Sequence, residues 1–192
     1  MYGLKVEENT PFGKDKGLVL PDEERQCEMY LAGVERLEKY GFLQYEISNF
    51  AKEGYRSRHN LKYWKREPYL GFGCAAHSCF DKARFFAPSD LKTFCSQQDF
   101  SLQSGFYDLS LLEDEDEKSE RVMLSLRLSD GMPTEELYAL CDAQQGSGAK
   151  KYLDQLLDQG YANDHDDFYR LTPLGMLVSN SILSQLLLYM ES

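Results

Sequence analysis

Residues 21–48 read PDEERQCEMYLAGVERLEKYGFLQYEIS, and this stretch sets the fold class. Asp22 stands before Glu23 and Glu24, an N-cap followed by two first-turn acids, where a helix begins. Cys27, Tyr30, Leu31, Val34 and Leu37 recur at helical spacing, and Gly41 stops the run. Leu43–Ser48 then alternates as a strand does, with Leu43, Tyr45 and Ile47 on one face and Gln44, Glu46 and Ser48 on the other. Upstream, the apolar alternation of Tyr2–Val6 predicts another strand, closed by Thr10-Pro11. Strand, helix and strand in this order form the end of an α/β unit.

Downstream, Tyr69–Ser78 is small and apolar, with Gly71 and Gly73, and suits close backbone packing or a strand through the core. A helix is expected at Ser89–Ser96. The acidic run Glu113–Glu117 reads as the solvated start of a helix that carries Val122, Met123, Leu126 and Leu128 and ends before Gly131. Further helices are expected at Pro133–Cys141 and Gly148–Gln159. A hairpin around Asn163–Asp167 comes next, and Thr172-Pro173 opens a last helix. Helices, hairpin and closing helix describe a winged-helix-like domain, and the chain as a whole reads as α/β (α+β).

Composition bounds the function. The chain has 192 residues, 42% hydrophobic and 28% charged, enough to bury a core without disulfides. No apolar run reaches the length of a transmembrane segment, and no secretory signal core is present. The five cysteines are odd in number and unevenly spaced, which fits free thiols and a cytoplasmic location. A net charge of −11 argues against nucleic acid as a partner. The expected recognition helix carries Lys150 and Lys151 but also Asp154 and Asp158, so the winged region reads as a packing or docking module.

One segment departs from this acidity. Residues 52–67 hold Lys52, Arg56, Arg58, Lys62, Lys65 and Arg66 against Glu53 and Glu67, with Tyr55, Tyr63 and Trp64 among them. His59 lies in the same run. Imidazole can ligate iron, cationic side chains can pair with carboxylates, and aromatic rings can stack on a macrocycle. Those are the needs of heme or another tetrapyrrole with propionates. The alternative is a surface loop whose aromatics anchor it to the core, and the residues alone leave both open. His77, among small residues, reads as a buried histidine bonded to backbone. His165 has no assigned role. Cys74 and Cys79 read as packed free thiols.

The runs Tyr45-Glu46-Ile47-Ser48-Asn49-Phe50-Ala51, Ser57-Arg58-His59-Asn60, Tyr63-Trp64 and Tyr69-Leu70-Gly71-Phe72-Gly73, continuing to Ala76-His77-Ser78, resemble the HemW/HemN family. That family is oxygen-independent coproporphyrinogen III oxidase-like and belongs to the radical-SAM superfamily. Tyr2-Gly3-Leu4 with Thr10-Pro11-Phe12 resembles its last barrel strand and the loop after it. Leu126-Arg127-Leu128 with Gly131, and Arg170-Leu171-Thr172-Pro173 with Gly175, resemble its C-terminal domain.

The resemblance implies a C-terminal portion only. Residues 1–110 would be the end of a radical-SAM (β/α) barrel with the strands and loops after it, and 111–192 the winged-helix-like HemN C-terminal domain. The full-length family holds an iron–sulfur (4Fe-4S) cluster and S-adenosylmethionine on a Cys-x3-Cys-x2-Cys motif. This sequence has no such motif, so neither cofactor is expected on its residues, no catalytic residue is assigned, and catalysis by this chain alone is not expected. The HemW branch is implicated in binding heme and delivering it to an acceptor protein. Its His-Asn-x-x-Tyr-Trp segment corresponds here to His59, Asn60, Tyr63 and Trp64, with Arg58 beside them. The resemblance therefore implies a heme site on these five residues and a role in heme trafficking. The alternatives are a true coproporphyrinogen III oxidase of porphyrin biosynthesis or a non-enzymatic docking module. The family stretch around Cys74-Ala75 is usually glycine-rich, and this sequence departs from it there.

Overall fold

The computed structural model describes residues 1–141 and 148–191. It is a mixed α/β chain in which contacts define two units, Met1–Ser57 with Ser125–Ser192, and Arg58–Leu124. Among the described residues no helix is long and apolar enough to cross a membrane.

The first unit opens with α1 (Pro11–Lys14), α2 (Glu23–Lys39), β1 (Leu43–Gln44) and β2 (Phe50–Ala51). The Asp22 carboxylate accepts from the Arg25 N–H at 2.8 Å and caps α2. Gly41, at φ +79°, closes the other end: its N–H donates to Glu38, and that of Phe42 to Leu37. One strand expectation fails and a second holds only over Leu43–Gln44. Tyr2–Val6 forms no strand, because no other segment among the described residues offers it a ladder. Leu43–Ser48 does not alternate: Leu43 is 51% exposed, while Gln44, Tyr45 and Glu46 are all buried. The reason is packing on both sides. Glu46 bridges to Leu128, and Tyr45 O accepts from the Ser129 N–H at 3.1 Å. Burial of Gln44 is compensated, since its amide donates to Tyr30 Oη and to Ile47 O.

The second unit comprises α3 (Arg58–Trp64), β3 (His77–Phe80), β4 (Ala83–Phe86), α4 (Leu91–Ser96), β5 (Asp108–Leu111) and α5 (Asp114–Ser125). Its antiparallel sheet has the order β3-β4-β5. Register puts Cys79, Arg84 and Ser110 side by side on one face, and Ser78, Phe85 and Leu109 on the other. The β3–β4 turn is Asp81-Lys82, with both residues left-handed, as a two-residue hairpin turn requires. Asp90 caps α4 by accepting from the Thr93 N–H. The helix α5 stops at Ser125, earlier than its apolar spacing predicts; Leu126 and Leu128 are buried beyond its end.

The first unit resumes with β6 (Met132–Pro133), α6 (Thr134–Cys141), α7 (Ala149–Asp158), β7 (Ala162–His165), β8 (Phe168–Leu171), α8 (Pro173–Leu177) and α9 (Ser179–Glu191). The strand order is β6-β8-β7, and Asp166-Asp167 turns the hairpin. Thr172 caps α8 with Pro173 at its first position, but the expected single closing helix is interrupted at Val178. Leu137, Leu153, Leu156, Tyr169 and Leu186 fill the core here, and the Tyr169 hydroxyl donates to Leu153 O at 2.9 Å.

Candidate functional site

All five candidate residues lie on α3. This helix ends because Arg66 takes the left-handed conformation at φ +57°. The Arg66 N–H donates to Tyr63 O and the Glu67 N–H to Lys62 O, which satisfies the last carbonyls, and Pro68 comes directly after. A non-glycine residue is held in this conformation by its side chain. The Arg66 guanidinium donates to Glu117 O at 3.1 Å and lies 3.4 Å from the Glu120 carboxylate.

The helical period sorts the candidates onto two faces. Asn60, Leu61 and Trp64 are half-buried, whereas Arg58, His59, Lys62, Tyr63 and Lys65 are exposed. His59 and Tyr63 are one turn apart and in contact: His59 Nε2 and Tyr63 Oη are 3.0 Å apart, with the rings edge-on at 89°. Tyr63 in turn meets the edge of Tyr69, at 4.6 Å between centroids. Burial, with Cys79 nearby, pushes the Tyr69 phenol above its ordinary range. The structure thus brings His59 and Tyr63 together one turn apart, with exposed Arg58 on one flank and half-buried Asn60 and Trp64 on the other flank, each about 100° round the helix.

Charge around α3 is partly neutralised. Arg56, in the first unit, pairs with Asp130 at 2.6 Å. Within the second unit, Arg84 pairs with Glu120, Arg66 with Glu117 and Glu120, and Lys82 with Asp114 and Glu117. The hydrogen bond from Lys82 to Asp114, with the charges of Asp114 and Glu117, raises the Lys82 pKa above its ordinary value. Among the described residues Arg58, Lys62 and Lys65 have no ion-pair partner. Sequence reading missed Tyr69 and this ion network. The spacing of Asp114, Glu117 and Glu120 at three-residue intervals, one helix face, was the available signal.

His77 corrects its expectation: it is exposed and stacks on Phe86 at 4.8 Å. His77 shares a sheet face with exposed Arg84 and Phe86, so its side chain reaches solvent while that of Ser78, on the other face, is buried. Cys74 Sγ donates to the carbonyls of Pro88 and Ser89. The five cysteines are free thiols, and among the described residues no three His, Cys, Asp or Glu side chains gather as a metal site. That donor set does not fit an iron–sulfur cluster.

The sequence model of the HemN C-terminal domain family matches residues 112–178. The heme chaperone HemW of Escherichia coli (strain K12) is 34% identical over 187 residues, 95% of this chain and 47% of that protein. HemW of Bacillus subtilis (strain 168) is 32% identical over 192 residues, 97% of this chain and 50% of that protein. Among solved structures, the coproporphyrinogen III oxidase HemN of Escherichia coli, described as a radical SAM enzyme, shares the fold with a TM-score of 0.61 at 17% identity. That likeness covers 86% of this chain and 42% of the other. The chain spans about half the length of the curated relatives it matches. It belongs to the HemW/HemN family and corresponds to a C-terminal portion of its members.

Proposed function

We propose that this chain carries the heme-contacting surface of a HemW-type heme chaperone, and that the surface is the exposed face of α3. The observation that carries the reading is one stripe of chemistry: His59 and Tyr63 together, flanked by Arg58, Lys62 and Lys65, which have no carboxylate partner among the described residues. Heme presents three complementary features. Its iron takes an imidazole, its propionates pair with cations, and its macrocycle packs on aromatic rings. Asn60 and Trp64 serve by seating the half-buried flank of the helix. The names of the curated relatives agree with this cargo.

Residues 1–110 are read as the end of a radical-SAM barrel with the strands and loops after it, and residues 111–192 as a winged-helix-like docking module for a heme-acceptor protein in the cytoplasm. The acidity of the last segment supports a protein partner over nucleic acid.

Titration of ferric heme into the chain, followed by absorbance, tests the reading. A saturating Soret shift near one heme is expected, with affinity falling about ten-fold or more, ~1.4 kcal/mol or more, in His59→Ala. Iron-free protoporphyrin should bind both proteins equally. Equal heme binding by both proteins would remove His59 from the site.

A further inference from the structure

We infer that Tyr63 holds His59 in a closed state, so that heme binds by exchange: the imidazole gives up the phenol before Nε2 takes iron. This rests on the reading of α3 as the heme-contacting face and adds a control on that site. The closed state is built, not incidental. His59 Nε2 and Tyr63 Oη are 3.0 Å apart across one helical turn. Tyr63 is held from its far side by the Tyr69 ring. Tyr69 is itself fixed by paired backbone bonds, its N–H donating to Cys79 O at 2.8 Å and the Cys79 N–H to Tyr69 O at 2.9 Å. The phenol therefore has a defined place beside the imidazole.

Neutral imidazole has one nitrogen lone pair in the ring plane. If Nε2 accepts from the phenol, that pair is engaged. If Nε2 carries the proton and donates, the proton must move to Nδ1 before Nε2 can ligate. Nδ1 has no partner among the described residues, so it can carry the proton once Nε2 is released. Either way, ligation through Nε2 displaces a hydrogen bond, which lowers affinity and gives the site a closed form to return to. A protein that hands its cargo on needs a site that lets go.

The test compares the whole chain with Tyr63→Phe and His59→Ala. Phenylalanine keeps the ring and its edge contact with Tyr69, and Tyr63 is 41% exposed, so folding should be unaffected; a thermal melt confirms it. In heme-free protein, long-range ¹⁵N spectra should show the His59 Nε2 resonance displaced in Tyr63→Phe. Ferric heme should then bind that variant roughly two- to ten-fold more tightly, the size of one net hydrogen bond, and pass to apomyoglobin more slowly. Affinity that is unchanged or weaker while His59→Ala still weakens binding overturns the exchange alone. If His59→Ala binds heme as the natural chain does, the site reading falls and the exchange with it.

Discussion

Gly131 sits at φ +65°, and a Cβ built there would collide with the Tyr169 carbonyl. Gly131→Ala therefore meets both backbone strain and a fixed obstacle, and is expected to cost about 1–3 kcal/mol in urea unfolding. Ala75 is the converse case. It occupies φ +59° without being glycine, in the stretch where the family resemblance expects glycine. Ala75→Gly should raise stability by up to about 1 kcal/mol, as relief of left-handed strain outweighs the added chain entropy. Gly131 was legible in the sequence as a stop signal. The strain at Ala75 was not, because alanine announces no turn. The same holds for His77, whose small neighbours suggested burial while its place on the open face of the sheet left it in solvent.

Helix α2 was readable at both ends, because cap and stop are local chemistry. Asp22→Ala should cost about 1 kcal/mol, measured as a drop in urea midpoint with unchanged slope. A strand starting at Leu43 was readable, but the burial of Tyr45 and Glu46 after it was not, since it depends on Leu128 and Ser129, more than eighty residues away by the 84-residue separation of the Tyr45–Ser129 contact. The end of α5 was misplaced for the same reason: buried Leu126 and Leu128 mimic helical spacing while their backbone serves another segment. In α3 the residue types of the candidate site were legible, but their faces were not, because the basic, aromatic segment that holds them read equally as a surface loop. Once the helix is seen, periodicity alone separates the exposed His59 and Tyr63 from the half-buried Asn60 and Trp64.

At the scale of the molecule, the sequence supplied α/β elements in order, and contacts define two units, one of which joins both ends of the chain. Its core carries a pH signature. Burial pushes the Cys141 thiol from 9.0 up to about 11, and raises the Tyr138 and Tyr169 phenols in the same way. A thiol whose folded pKa lies above its unfolded one contributes stability that is complete below pH 9 and lost as pH rises through 11. Unfolding free energy should fall by about 2–3 kcal/mol over that window from this group. Urea melts of Cys141→Ala should show a shallower decline there; an unchanged slope would assign the decline to the phenols alone.

Heme is expected to meet this chain on α3. Ferric heme is paramagnetic and broadens the amide signals nearest to it. Added to the isotope-labelled chain, it should erase the signals of residues 58–65 and of Tyr69 first. Broadening centred instead on the apolar hollow lined by Tyr2, Leu4, Leu20 and Met29, with α3 signals intact, would contradict the account.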